Sequence, residues 1–224
     1  MTKSNLTNAN AKFQDFSTCD YQKHWSYSIF IKNLFICEAL LEHNRVIEIG
    51  AANSKIREML SINFNCHPKY IRYDYNNMYD DIIELDVTKG IPQRDGSQDA
   101  VIFSEVLEHL PRGSVGFVMS ELNRVIKLKG SLLLTTPTPL IKDEMVWPDV
   151  HDQEYTRAEV LAITEMAGFK VLHEMPWHTR SELTVDMFSP GLPWGFRRAV
   201  LSTLVGPERA TQIALHLLKV ENLT

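Results

Sequence analysis

Hydrophobic positions follow two different rhythms along the chain. Early on, Tyr27, Phe30, Ile31 and Phe35 recur at three- and four-residue spacing, with Leu34 and Leu41 extending the apolar side, which predicts a helical segment. From Arg45 the rhythm shortens. Residues 45–50, 69–74, 81–86, 99–104 and 131–137 are brief apolar runs ending in small, acidic or hydroxyl side chains, and each predicts a buried strand. Helical runs are predicted over 54–60 and 114–127, the second stopped by Gly130 in a left-handed conformation, with Lys127 and Lys129 facing its negative end. Further on, Thr156 and Glu159 have capping-box spacing, Tyr155 and Val160 are placed as a hydrophobic staple, Gly168 stops the helix, and 169–175 begins a sixth strand. After Trp177 the pattern weakens. Residues 190–195 read as a turn-rich hinge, 196–204 as helix, Pro207 as a further helix start, and 213–220 as either a helix or a final strand.

Apolar strands alternating with helices predict an α/β fold, a mostly parallel sheet covered by helices on both faces. The expected organisation is a helical cap over 1–44, a core over 45–176 and a C-terminal segment over 177–224, all in one domain. At 224 residues, 44% hydrophobic and 23% charged, the chain has the size and composition of a single such domain. A net charge of −5 argues against a basic coat for nucleic acid or an anionic membrane. Three cysteines (Cys19, Cys37 and Cys66) do not form a disulfide framework, and reduced thiols in the cytoplasm fit better. The polar N-terminus lacks the apolar segment of a secretory signal, and Lys32, Asn33 and Glu38 interrupt the stretch over 29–41, so it cannot span a bilayer.

Ligands of open α/β sheets bind outside the carboxyl ends of the strands, and four such ends here carry suggestive chemistry. Glu48 is followed by small residues at Gly50, Ala52 and Ser54, which let the backbone turn tightly and approach a ligand before a helix begins. Asp74 ends its strand about two dozen residues later, where a carboxylate can accept both ribose hydroxyls. Asp86 is placed to accept from an adenine amino group, and Ser104 opens the following loop. A nicotinamide-dinucleotide enzyme would share the first two features, but would need a second mononucleotide half and the full glycine triplet, which is absent.

Residues 46–54, 86–92, 98–111, 122–137 and 154–159, in that order, resemble the class I S-adenosylmethionine-dependent methyltransferases. The resemblance implies a Rossmann-like methyltransferase fold with seven strands, the last antiparallel. It also implies Glu48 and Gly50 near the methionine moiety, Asp74 on the ribose and Asp86 near the adenine, with Ala52, Val87 and Ser104 as further cofactor-binding candidates. Two glycines of the family's motif are replaced by Ala52 and Ser54.

Between the fourth strand and the next helix lies a polar trio. On a helical wheel of about 100° per residue, Glu105, Glu108 and His109 share one side while Val106, Leu107 and Leu110 share the other. Three readings are open: a solvated or structural face, a histidine general base that takes a hydroxyl proton, or a divalent metal site. His151, in the connection after the fifth strand, is able to join it over the cleft. Glu105, Glu108, His109 and His151 also resemble the metal site of small-RNA 3′-terminal 2′-O-methyltransferases, and ubiquinone-pathway O-methyltransferases carry a similar run. That resemblance implies these four as ligands of Mg²⁺, Mn²⁺, Fe²⁺ or Zn²⁺.

Tyr21, His24 and Trp25 are candidates to close over a substrate, Trp147, Trp177 and Trp194 to line a pocket, and Arg197 and Arg198 to meet an anion; packing or solvation is the plainer role for each. The expected activity is methyl transfer from S-adenosylmethionine to an acceptor hydroxyl of a small molecule or sugar, with His109 and His151 as catalytic candidates and metal assistance open. An RNA end is the less favoured acceptor. A non-catalytic methyltransferase-fold binding protein is the alternative of a different class, motivated by the altered glycine motif.

Overall fold

The computed structural model describes residues 32–76, 79–139, 151–177 and 211–223. Tyr21, His24, Trp25, Trp147, Trp194, Arg197, Arg198 and the elements expected over 190–210 lie outside them. The described residues form a seven-stranded sheet built from β1 (Arg45–Ile49), β2 (Lys69–Asp74), β3 (Ile82–Glu84), β4 (Gln98–Ser104), β5 (Ile126–Pro137), β6 (Phe169–Trp177) and β7 (Gln212–Lys219). The spatial order is β3-β2-β1-β4-β5-β7-β6. Pairs from β3 across to β5 are parallel, and β7 runs antiparallel between β5 and β6. This is the Rossmann-like methyltransferase fold, and the 213–220 segment, left open by its periodicity, is the seventh strand.

Alternation along the central strands builds two cores, one on each side of the sheet. Ile47, Ile49, Val101, Phe103, Leu132 and Leu134 pack on one side with α3 (Val115–Val125) and α4 (Arg157–Met166). Val46, Ala100, Ile102 and Leu133 pack on the other with α1 (residues 32–40) and α2 (Ile56–Phe64). Helix α3 buries Val115, Val118, Met119, Leu122 and Val125, the stripe a helix needs to lie on a sheet. Thr156 caps α4 in the expected box, accepting from the Glu159 amide while Glu159 accepts from the Thr156 amide at 2.9 Å. Gly168, at φ 76, turns the chain into β6.

Three expectations about the α3–β5 junction are corrected. The helix stops at Val125 and the chain enters β5 directly, so Lys127 and Lys129 lie in the strand rather than in a last helical turn. The cation at the helix end is instead Lys219 of β7, whose buried ammonium donates to the carbonyls of Asn123 (2.7 Å) and Ile126 (2.8 Å). The left-handed residue is Lys129, at φ 64. Gly130 is required for space: a Cβ there would lie 2.6 Å from Ile126 Cγ2 and 2.7 Å from the Asp99 carbonyl oxygen.

Candidate active site

The strand order reverses between β1 and β4, so their carboxyl ends frame the crevice in which such sheets bind ligands. At this edge Gly50 adopts φ 75, and a Cβ on it would come 2.2 Å from Val106 Cγ2. The first glycine of the motif is therefore dictated by both backbone and space. Ala52, where the family has a second glycine, still takes a positive φ of 32. Its amide donates to Asp74 Oδ2 at 2.8 Å, and Asp74 Oδ1 accepts from the Asn76 amide at 3.0 Å. Asp74 thus ties the loop to the end of β2, while each oxygen keeps a second lone pair for a ligand hydroxyl.

Glu48 is 1% exposed and accepts from the Tyr70 hydroxyl at 3.0 Å, with the Arg72 guanidinium 3.6 Å away. Burial pushes its carboxyl above the usual range, opposed by Ser54, Arg72 and Tyr70. Its Oε1 makes no hydrogen bond among the described residues, an orphan acceptor beside the loop. Asp86 caps the 3-10 turn over Val87–Lys89, accepting from the Thr88 amide and hydroxyl and pairing with Lys89 at 3.0 Å. Those hydrogen bonds, Thr88 first, hold its carboxyl below the usual range. Val87 is buried in the core beneath. The tight Gly50 turn, the orphan Glu48 oxygen and the loop-anchoring Asp74 fit a nucleoside-bearing cofactor at this rim.

A second polar group begins where β4 ends. Ser104 Oγ pairs with Thr135 Oγ1 at 2.8 Å and accepts from Lys32 at 3.2 Å, while Thr135 donates to Glu105 Oε1 at 2.6 Å. Lys32, on α1, also lies 3.6 Å from Glu105. Glu105 itself is left-handed, at φ 55, a sparsely populated conformation for a residue with a side chain. The α-helix expected over 104–110 is therefore replaced by a sharp turn and one 3-10 turn over Leu107–His109. At about 120° per residue that turn carries Glu108 to the buried side with Leu107 and Leu110.

Glu108 is 0% exposed. It accepts from the Thr136 hydroxyl at 3.0 Å, and its Oε1 has no partner among the described residues. Burial, and then the nearby Glu105 charge, push its carboxyl well above the usual range. The connection ahead of α4 is pinned against this segment: the Asp152 and Gln153 amides donate to the Glu108 carbonyl, and the Gln153 side chain donates to the Leu110 carbonyl at 2.6 Å. This docking sets the His109 and His151 rings edge to face, with centroids 4.9 Å apart. Burial, then His151, lowers the His109 pKa. Donor atoms of Glu108, His109 and His151 all lie within 4.8 Å of one another. Glu105, the remaining member of the expected quartet, is engaged by Thr135 and Lys32 instead.

Three contributors escaped the sequence reading. Glu154, with a fully buried side chain, lies 2.6 Å from His151 Nδ1. It favours the tautomer that donates from Nδ1 and leaves the Nε2 lone pair outward. Its proximity to His151 and the following capping box is the only signal the sequence offers. Lys32 read as an interruption of an apolar stretch, and Arg72 as one polar residue inside a strand.

Comparison with known proteins shows the same fold elsewhere. Residues 49–134 match a family model described as a methyltransferase domain. No curated protein matches the sequence. Among solved structures, an S-adenosylmethionine-dependent methyltransferase from Archaeoglobus fulgidus is 16% identical, covering 89% of this chain and all (100%) of its own, with a TM-score of 0.56. The 1,6-didemethyltoxoflavin-N1-methyltransferase of Burkholderia thailandensis, solved with its substrate and S-adenosylhomocysteine, is 10% identical over 97% of this chain and 85% of its own, with a TM-score of 0.58. A Mesorhizobium loti S-adenosylmethionine-dependent methyltransferase is 13% identical over 84% and 97%, with a TM-score of 0.54. Residues 49–134 thus match a methyltransferase domain, and the chain shares its fold with solved methyltransferases.

Proposed function

We propose that the chain is an S-adenosylmethionine-dependent methyltransferase that methylates a hydroxyl oxygen on a small molecule or sugar, and that Glu108, His109 and His151 form the acceptor side of its active site. The observation that carries this reading is their convergence beside the β4 rim: two imidazoles and a fully buried carboxyl with an orphan oxygen, within 4.8 Å. Transfer is an in-line displacement. S-adenosylmethionine, held at the Glu48, Gly50–Ser54 and Asp74 rim, would supply an electrophilic methyl on its sulfonium and depart as a neutral thioether. The protein aligns the two reactants, excludes water and accepts the hydroxyl proton.

His151, held by Glu154 with its Nε2 outward, is suited to accept that proton, and His109 braces its ring edge to face. The same three donors fit a divalent metal, the imidazole pair favouring Zn²⁺, Fe²⁺ or Mn²⁺ over Mg²⁺. Such an ion would lower the pKa of a bound hydroxyl. On this reading Glu48, the Gly50–Ser54 loop, Asp74, Asp86 and Val87 hold the cofactor.

The test is calorimetry with S-adenosylmethionine, radiolabelled methyl transfer to a panel of phenols, sugars and short RNAs, and elemental analysis of protein purified without chelator. Expected are cofactor binding, label on a hydroxyl acceptor, and near one equivalent of metal that is lost in a His109→Ala, His151→Ala variant. Absence of cofactor binding at millimolar ligand would overturn the enzymatic reading in favour of a non-catalytic one. A metal-free, fully active protein would leave the histidine base alone.

A further inference from the structure

Arg72 lies on β2 rather than in the loop, and it is 6% exposed. In register it stands directly beside Glu48 of β1. One guanidinium nitrogen, Nη2, donates to the carbonyls of Ala51 (3.3 Å), Ala52 (3.0 Å) and Ser54 (3.4 Å). Another, Nη1, donates to both carboxylate oxygens of Asp81 at 3.2 and 3.0 Å, and Nε faces Glu48 at 3.6 Å. Asp81 is held in turn by Arg57 at 2.6 Å, the side chain that reaches back from α2. Two residues along β2, and so on the same sheet face, Asp74 takes the Ala52 amide.

Glycines normally let a cofactor loop adopt left-handed angles and bring its backbone close to the ligand. Here the second glycine is Ala52, still at φ 32, and the third is Ser54. A side-chain-bearing residue leaves such a conformation unless its surroundings hold it there. We infer that Arg72 is a positioning residue for the cofactor: its guanidinium draws the loop carbonyls inward, holds Ala52 left-handed in place of the missing glycines, and so turns the opposite edge of the loop toward the ligand. In a trans peptide the N–H points away from the carbonyl, so fixing the Ala52 carbonyl on Arg72 turns the Asn53 amide outward. Asp81 sets the plane of the fork from outside, and Glu48 balances its charge from within.

This inference rests on the methyltransferase reading, and its test separates the two. The affinity for S-adenosylhomocysteine is measured by calorimetry on the full chain, with thermal unfolding in parallel, for the wild type, Arg72→Lys, Ala52→Gly and the double variant. Lysine keeps the charge beside Glu48 but loses the planar fork. Arg72→Lys is expected to weaken binding at least tenfold. Ala52→Gly is expected to recover at least threefold of that loss in the lysine background, a larger gain than the same substitution produces in the wild type. A role confined to stability would not produce that rescue. Should Arg72→Lys not fold, Asp81→Asn, on a partly exposed side chain, replaces it, with an expected loss of at least threefold and the same glycine rescue. Unchanged affinity in the variants, or an equal glycine effect in both backgrounds, overturns the role of Arg72 alone. A wild type that binds neither S-adenosylmethionine nor S-adenosylhomocysteine overturns the cofactor reading together with it.

Discussion

Substituting Gly50 by alanine tests the geometry of the cofactor rim most directly. Two costs add there. The residue sits at φ 75, where a Cβ crowds the following carbonyl and costs about 1–2 kcal/mol. The new methyl would also stand 2.2 Å from Val106 Cγ2 and 3.4 Å from the Ser104 carbonyl oxygen. Such overpacking costs about 1–3 kcal/mol once neighbours shift. Gly50→Ala is therefore expected to lose about 2–5 kcal/mol of unfolding free energy, read by urea denaturation with circular dichroism. Val106→Ala, in the same background, removes the steric part only and should restore about 1–3 kcal/mol. Gly116→Ala is the control: nothing lies within 4 Å of its Cβ, it is helical, and it should be neutral or gain about 0.5 kcal/mol. A Gly50→Ala protein within about 0.5 kcal/mol of the wild type would refute the reasoning, since a surface substitution does no more than that.

Other expectations follow from contacts away from the rim. Lys219→Met keeps the stem of the side chain but loses two donated hydrogen bonds at the end of α3, and should cost about 1.5–3 kcal/mol in the same denaturation assay. Thr156→Ala removes the cap of α4 and should cost about 1 kcal/mol, seen as a drop of about 2–4 °C in Tm. His216 is held down to about 4 by burial, then by His173 and His43; it shares Ser131 with His43, whose own pKa is lowered by burial. The unfolded chain binds these protons near pH 6.5 and the folded one does not. Stability is therefore whole above that value and falls as the pH drops toward 4, by an amount of order 3 kcal/mol for His216. Urea midpoints between pH 7.5 and 4.5 should show this decline, and His216→Gln should flatten it; an equally steep decline in the variant would rule the cluster out as its source.

The strands were legible because burial on both faces leaves little choice of residue. The runs at 99–104 and 131–137 fall within the buried strands β4 and β5, and Thr156 and Glu159 announce their helix through reciprocal hydrogen bonds that depend on local spacing alone. The 105–110 segment was not legible, because the wheel assumed about 3.6 residues per turn. Glu105 instead turns left-handed, and the tighter 3-10 turn inverts which side Glu108 faces. The Thr136 hydroxyl, on β5, supplies the hydrogen bond that the buried Glu108 accepts, and no local window contains it. Gly130 was misread for a related reason: its need is the proximity of the Asp99 carbonyl, a neighbour on another strand that no window around residue 130 contains. The convergence of His151 on Glu108 and His109 depends likewise on the Asp152 and Gln153 amides docking across the crevice. Among the site residues, the strand-end acids were visible by position, whereas Arg72 and Glu154 emerge only when their partners are seen in space.

Strand β7 comes after every other strand in sequence, yet it is wedged between β5 and β6. Those two therefore share no edge, and residues 212–219 pair with both to join them. The same strand delivers Lys219 to the end of α3, so the pairing that completes the sheet also seals that helix. Assembly of this half of the molecule is consequently governed by long-range encounter, the slow kind, and an unfilled gap exposes two sticky strand margins to other chains while it lasts.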